Sequence, residues 1–498
     1  MVIEWIDRAG QMLWGPWTFF ALLGTGLLFT VWTGFVQWRA LTHGFAILRG
    51  KYDRADEPGA ISHFQALSAA LSGTVGLGNI GGVALAISIG GPGALFWMWV
   101  VAFLGMAIKA VEVTMAMMFR NVDDPRKPSG GAMWVIEKTL GARGGKSAWL
   151  ARALGSLFCV TLLISTITGG NIFQAWNVAQ ITQTYAGVPE WVTTGVLAAL
   201  VGLVILGGIR RIGTVAATLV PLMVVLYVAA CVYVIAVHVT AVPSVLALVV
   251  RDAFSPSEAA GAFLGAGVYF GFRVGLQRAL FSNEAGQGSA PIAHAAAQTS
   301  EPSREGLVGG IEPFIDTIVI CTLTALVILT TGTWNRPSPG ELDVPVQLVE
   351  VTPGTWSIEG DVRVTDLPPL AAPHRWNTGD RISLRVEVLA ADGTLLRHPD
   401  SGASRLALRG EILTEVTPIV WTPLSLDPAA WDQPSLHARL PSLEVHRTLE
   451  GATLTALAFD RAAPGLGMLL VFVASWLFAV STMISWYYYG EQGTVYLL

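Results

Sequence analysis

The stretch Gly73-Thr74-Val75-Gly76-Leu77-Gly78-Asn79-Ile80-Gly81-Gly82 places five glycines within ten residues of a long apolar segment. In mid-helix each glycine costs about 1 kcal/mol relative to alanine, so a membrane helix with this run is expected to be unwound there. Irregular backbone at membrane depth survives only where it lines a cavity inside the protein. Its exposed carbonyls can then ligate a cation, while the N-terminus of the next half-helix offers N–H groups to a carboxylate. The run therefore reads as a site for a zwitterion beside a sodium ion, with close helix packing through small residues as the alternative. Gly76, Gly78 and Gly81 also satisfy a formal G-x-G-x-x-G. A dinucleotide fingerprint, however, follows a strand and precedes an acid about 20 residues on. Here Phe64 to Leu71 is helix-forming, and no acid follows until Glu112.

Composition agrees with a membrane setting. A length of 498 residues would suggest about three soluble domains. Apolar residues make up 53% and charged residues only 13% of the chain, its mean hydropathy is +0.56, and soluble domains carry about 25% charge. Cytosolic-enzyme and disordered readings are excluded for most of the length. A net charge of −5 and the lack of any basic block exclude nucleic-acid binding. Cys159, Cys231 and Cys321 lie in apolar runs without metal-ligand spacing and read as buried small residues. Glu4 and Asp7, with no basic region before them, argue against a cleaved signal peptide.

A hydrocarbon core of roughly 30 Å needs about 20 apolar residues per helix. Nine candidates occur, near 17–38, 61–90, 94–118, 153–183, 191–209, 213–239, 259–282, 306–331 and 465–488. Lys and Arg concentrate after the first (Arg39, Arg49, Lys51, Arg54), third (Arg120 to Arg152) and fifth (Arg210, Arg211), so these loops are expected in the cytoplasm, with the N-terminus outside and the C-terminus inside. The chain thus divides into helices 1 to 8 over 1–332, a segment over 333–463, and helix 9 with a cytoplasmic end over 464–498. The middle segment is Pro-rich and charged, with alternating runs such as Arg381 to Val388 separated by Ala391-Asp392-Gly393 and Asp400-Ser401-Gly402. Period-two alternation predicts half-buried strands, hence a small β-rich extracytoplasmic domain, with a disordered loop as the alternative.

Five helices after the first interruption comes a second, Gly261 to Phe272. Inverted repeats whose first helices are discontinuous mark secondary transporters. In helix 4, Asn171 and Gln174 share a face and point either to a neighbour or to a substrate. In helix 9, the hydroxyls of Ser481 and Thr482 could ligate a cation, or bond back to the preceding turn. Trp486 lies one turn beyond. Lys109 and Glu112 are expected to pair along their helix, Glu312 and Asp316 to be held by a helix N-terminus, and Arg273 and Arg278 to snorkel. The polar loop Ser282 to Pro291 reads as a gate or re-entrant turn.

Gly73 to Gly82, Gly90-Gly91-Pro92-Gly93-Ala94 with Phe96 to Trp99, Gly207 to Arg211, Phe281 to Ala297, Glu312 to Thr317 and Ser481 to Trp486 together resemble the alanine/glycine:cation symporters. The resemblance covers 15–331 and 465–495. It implies an all-α polytopic membrane protein with the leucine-transporter-like five-plus-five inverted-repeat fold, in the bacterial inner membrane, importing a small neutral amino acid with sodium, or in some members a proton. It implies that Thr74, Gly76, Gly78, Asn79, Gln174, Tyr269, Gly271, Phe272 and Trp486 bind the amino acid. Sodium would be held by the Val75 carbonyl with Asn79, Ser481 and Thr482. No enzymatic activity and no cofactor beyond sodium are implied. The family pattern has eleven helices and no large insertion after helix 8, so the second repeat, ending at Leu498, has three helices where the first has five, and no partner for 333–463 is implied. Trp176 stands where the family tends to have a small polar residue. The rival reading is a truncated or repurposed relative that binds ligand or serves as a scaffold without transporting. An intramembrane enzyme lacks any nucleophile-base pair or metal cluster in the sequence.

Overall fold

The computed structural model describes residues 10, 12–54, 56–124, 127–254, 268–335, 340–343, 346–358, 362, 364–366, 381–396, 406–412, 419–426, 428–431, 433, 435–447 and 451–498. Among them, Gly93–Met118, Gly145–Gln183, Gly208–Val237, Pro302–Thr330 and Gly467–Leu497 are each long and apolar enough to cross a membrane. Two bent pairs pass the same test when each is taken together, as a broken span or a re-entrant loop: Trp17–Trp32 with Val36–Leu48 at 70°, and His63–Thr74 with Gly78–Gly90 at 51°. The span expected at 191–209 is the shorter helix Glu190–Ile205. Of that expected at 259–282, the described part is Val268–Asn283.

The glycine run behaves differently from the expected unwinding. Helix stops at Thr74, only Val75 and Gly76 leave it, and Gly78–Gly82 form a π-turn that runs into helix Val83–Gly90. A π-turn widens the backbone ring and frees a carbonyl without dissolving the helix. The Ile80 carbonyl is taken up by Thr455 Oγ1 at 2.9 Å, as buried backbone acceptors require. Thr455 belongs to helix Ala452–Ala462. Composition assigned that stretch to the β-rich segment, but it packs its buried face (Leu454, Ala456, Ala458, Phe459) into the core shared by the apolar helices. The start of the bent helix is fixed by a capping box, in which Ser62 Oγ accepts from Gln65 N and Gln65 Oε1 accepts from Ser62 N.

Helix Leu466–Leu497 lies against this bent helix and is tied to it by side chains. Ser72 Oγ donates to the Ser481 carbonyl at 2.6 Å, and Ser485 Oγ to the Ala69 carbonyl at 2.7 Å. Interhelical hydroxyl bonds of this kind substitute for the hydrophobic drive that is absent between helices in lipid. Gly93–Met118 packs against Val268–Asn283 so closely that a Cβ on Gly275 would sit 2.5 Å from the Ala94 carbonyl oxygen.

Between the eighth and ninth expected spans, ten strands among the described residues form two antiparallel sheets. They are β1 (Gly340–Leu342), β2 (Leu348–Thr352), β3 (Thr355–Ile358), β4 (Val364–Asp366), β5 (Arg381–Ala390), β6 (Leu406–Ile412), β7 (Ile419–Thr422), β8 (Leu424–Ser425), β9 (Leu436–Arg439) and β10 (Glu444–Arg447). One sheet has the order β4-β1-β10-β5-β6-β7 with β9 also on β5, and the other β2-β3-β8. Strand β5, Arg381–Ala390, turns Ile382, Leu384, Val386 and Val388 into a separate apolar core shared with Leu408, Trp421 and Val445.

Candidate binding cavity

The bend at Val75–Gly76 opens onto a cavity of about 900 Å³, and Gly73, Thr74, Gly76, Gly78, Gln174, Thr482 and Trp486 all line it. That volume exceeds any single amino acid, and the lining continues past Phe281, Glu284 and Gln287 to Leu13, Trp14 and Trp17, so a compact site is joined to a vestibule. Three helical segments build the compact part. The first is the bend itself. The second is the π-turn Thr166–Ile172, where Gly170 lies directly against Trp486. The third is helix Leu466–Leu497, whose register is set by the bonds from Ser72 to its Ser481 carbonyl and from its Ser485 to Ala69.

Several buried polar atoms here lack a protein partner. Thr482 Oγ1, Gln174 Oε1 and the Tyr489 hydroxyl make no hydrogen bond although buried. Thr482 Oγ1 stands over the bend, 2.8 Å from where a Cβ on Gly76 would be, and the Tyr489 hydroxyl is likewise 3.0 Å from that position on Gly73. An unpaired buried oxygen costs about 1–3 kcal/mol, so a cavity wall with such atoms is matched to a polar or cationic occupant. The Ser481 hydroxyl is committed elsewhere, donating to the Phe478 carbonyl at 2.9 Å. Thr74 Oγ1 bonds back weakly to Ala70 and Leu71 at 3.4 Å. Asn171 also bonds back, to the Thr166 carbonyl, and is not among the cavity residues.

Asn79 is spoken for on both ends of its amide. Oδ1 accepts from Gly76 N at 2.8 Å, bracing the bend, and Nδ2 donates to Asp316 Oδ1 at 2.5 Å and Ser282 Oγ at 2.9 Å. Asp316, expected at a helix start, lies in the π-turn Phe314–Cys321 and is held by Asn79, Ser282 and Thr317. The proposed facing break does not extend to 269–272, since Val268–Asn283 is continuous helix. Residues 261–267 lie outside the described residues, as does the side chain of Tyr269. Gly271 is pressed against Gly90, a Cβ there lying 2.9 Å from its carbonyl oxygen. Phe272 packs edge-on against Trp97 and Phe19. Neither reaches the cavity, because both sit on the face of their helix turned to the Val83–Gly90 and Pro16–Trp32 helices. Phe281, further along the same helix, takes the cavity-facing place. The sequence did not single it out, since a lone Phe in an apolar helix carries no signal.

The intramembrane charges are arranged differently from the sequence expectation. Lys109 pairs with Glu312 at 2.8 Å, not with Glu112, whose Oε2 accepts from Gly286 N at 3.3 Å. Glu312 is thus held by a cation rather than by a helix end. It continues through His294 Nε2 at 2.9 Å, His294 Nδ1 to Glu305 at 2.5 Å, and Glu305 to His63 Nδ1. His294 lies in the short helix Ala290–His294 between the spans. Burial pulls its pKa downward, but its hydrogen bonds to the Glu305 and Glu312 carboxylates outweigh this and hold it up at about 9. In the loop from Ser282 to Ser289, Gly286 and Gln287 are exposed and line the cavity, while the residues on either side are buried. Glu284 is buried in a left-handed backbone conformation (φ 54°) and accepts from Ser289 Oγ.

The description "Sodium:alanine symporter family" matches residues 1–357 and 439–498, leaving out 358–438. An "Uncharacterized transporter" of Haemophilus influenzae is 42% identical over 338 residues, 68% of this chain and 72% of that protein. "Sodium/alanine symporter AgcS" of Methanococcus maripaludis is 39% identical over 342 residues, 69% and 73% of the two chains. "Probable sodium/glutamine symporter GlnT" of Bacillus subtilis is 37% identical over 353 residues, 71% and 70%. With the family match running through both the bent helix and the Ser481–Trp486 helix that closes the cavity over it, the chain belongs to the sodium:alanine symporter family.

Proposed function

We propose that this chain imports a small neutral amino acid, alanine or glycine, by symport with sodium, binding both at the bend of the His63–Gly90 pair. The observation that carries this reading is the unpaired, buried Thr482 hydroxyl poised over Gly76. Hard cations take hydroxyl and carbonyl oxygens, and an interrupted helix supplies free carbonyls at the same place. Sodium would be ligated by the Val75 carbonyl and by Thr482, with Ser481 contributing if it gives up its bond to Phe478. Asn79 shapes the bend through Gly76 N. The amino acid would sit on Thr74, Gly76 and Gly78, with Gln174 Oε1 accepting from its ammonium and Trp486 limiting its side chain. Basic residues after the first, third and fifth spans support an outside N-terminus, which puts the strands of 340–447 outside the cytoplasm.

The relatives differ in the substrate their names give, alanine for one and glutamine for another, so substrate size is the open variable. Uptake of labelled alanine, glycine and glutamine into proteoliposomes, with and without an inward sodium gradient, tests the reading. Sodium-driven accumulation of alanine or glycine, competed weakly by glutamine, is expected. The segment 358–438, foreign to the family match, favours the second reading of a ligand-binding relative that does not transport. Alanine binding to folded protein without uptake would select it.

A further inference from the structure

We infer that Glu305, held between His63 and His294, is a proton-binding site whose occupancy changes as the His63–Thr74 half-helix moves, so that the transport cycle exchanges a proton with the cytoplasmic side. The inference rests on the transport reading above.

The geometry fixes a proton count. Both ring nitrogens of His294 face carboxylate oxygens, Nδ1 to Glu305 and Nε2 to Glu312. A carboxylate only accepts, and a neutral imidazole donates from one nitrogen alone. The trio therefore carries one proton beyond a neutral ring between two carboxylates, either as imidazolium or on one carboxyl group. With Lys109 on Glu312 and a neutral His63 donating from Nδ1 to Glu305, the row from Lys109 to His63 is neutral overall. All five side chains are buried, where an uncompensated charge is expensive. The five side chains come from separate stretches of the chain, and among the described residues they do not converge on a common metal position.

His63 is the weak link. It is the first residue of the half-helix His63–Thr74, whose other end is the bend at the cavity. Its Nε2 is buried with no hydrogen-bond partner. If this half-helix swings about Val75–Gly76, His63 Nδ1–H leaves Glu305 Oε2. The bereft oxygen is completed by taking a proton from water, and that proton returns to water when His63 closes again. No other bond forms or breaks. The remaining charged or titratable groups facing the row are Glu112 from Gly93–Met118, Glu284 from the loop after Val268–Asn283, Asp316 from Phe314–Cys321, Tyr489 from Leu466–Leu497, and Asp53 beside His63. Arg120 bonds to the carbonyls of Ala295, Ala297 and Thr299. None of these donates a hydrogen bond to Glu305.

The test uses the full chain, with proton binding or release read in weakly buffered detergent as alanine and sodium are added, and sodium-driven alanine uptake read in proteoliposomes across pH with membrane potential clamped. Wild type is expected to bind or release about one proton per protein on adding alanine and sodium, and to show uptake that falls by up to about tenfold per pH unit on one limb of its profile, as a single titrating site requires. Glu305→Gln should keep sodium-driven uptake while losing the proton exchange and flattening the profile, and His63→Gln should shift the profile. Uptake by wild type with no proton exchange and a flat profile overturns the inference while leaving the transport reading standing, as does a wild-type response in Glu305→Gln. Absence of sodium-driven uptake in wild type overturns both. If Glu305→Gln does not fold, proton exchange on alanine binding to wild type in weakly buffered detergent decides: none sinks the idea.

Discussion

Two adjacent glycines in one π-turn give the sharpest test of the cavity. A methyl group on Gly169 would meet nothing within 4 Å, whereas one on Gly170 would fall 2.5 Å from Trp486 Cβ and Cγ and 2.7 Å from Cδ2. Ordinary carbon contacts are about 3.5–4.0 Å, so Gly170→Ala requires the indole to retreat by about 1 Å. Its retreat is limited, because Tyr489 packs edge-on at 5.5 Å between ring centroids. Overpacking of this kind costs about 1–3 kcal/mol, partly offset by the roughly 1 kcal/mol that alanine gains over glycine in a helix. If the indole is driven into the cavity, the penalty falls on the occupant, and about 1–3 kcal/mol corresponds to a roughly five- to 150-fold weaker substrate. Gly169→Ala receives the same helical gain with no collision. The assay is KM for sodium-driven alanine uptake together with the melting temperature in detergent. Gly169→Ala should match or exceed wild-type stability with unchanged KM, and Gly170→Ala should raise KM by at least about fivefold. A Gly170→Ala protein with wild-type KM and melting temperature would refute the placement of Trp486 over this turn.

Thr482→Val keeps the shape of the side chain and removes the hydroxyl. Uptake should then need about tenfold more sodium, a loss of about 1.4 kcal/mol, read from the sodium dependence at fixed alanine. Lys109→Met strands the fully buried Glu312 with His294 as its remaining partner, and breaking such a pair costs about 3–5 kcal/mol. A melting temperature within error of wild type would contradict that pairing. The pH dependence of unfolding has a defined sign. The folded pKa of His294 is raised from the ordinary histidine value to about 9, so its contribution is complete below the unfolded value and disappears as pH rises through about 9. Detergent melting curves across pH 6.5 to 9 should fall at the alkaline end in wild type and lose part of that fall in His294→Gln.

How much of this was legible in the sequence depends on whether the signal was local. The interruption at Gly73 to Gly82 could be read because glycine cost adds up along one helix, but its depth could not. Whether a glycine run unwinds or merely widens into a π-turn depends on what takes up the freed carbonyls, and that partner, Thr455, is 375 residues away. The same distance hid the charge network. Lys109 and Glu112, three apart, look like a pair, since helical neighbours are the only partners a sequence displays. In the fold Lys109 meets Glu312 from a distant span, while His63 and His294, unremarked in the sequence, supply the connecting rings.

Burial makes that non-local choice decisive rather than decorative. On a surface, an i,i+3 pair and a tertiary pair would differ by a few tenths of a kcal/mol, and either could be left unmade. Inside a membrane protein a stranded charge costs several kcal/mol, so each buried carboxylate must find a donor wherever the fold brings one. Among the described residues four such carboxylates, Glu284, Glu305, Glu312 and Asp316, with the half-buried Glu112, lie around the cavity and the row behind it, against one buried lysine and two buried histidines. The same side chains that hold the helices together therefore also fix how many protons or cations the interior must carry. That requirement ties the stability of the bent helix to the ions it binds.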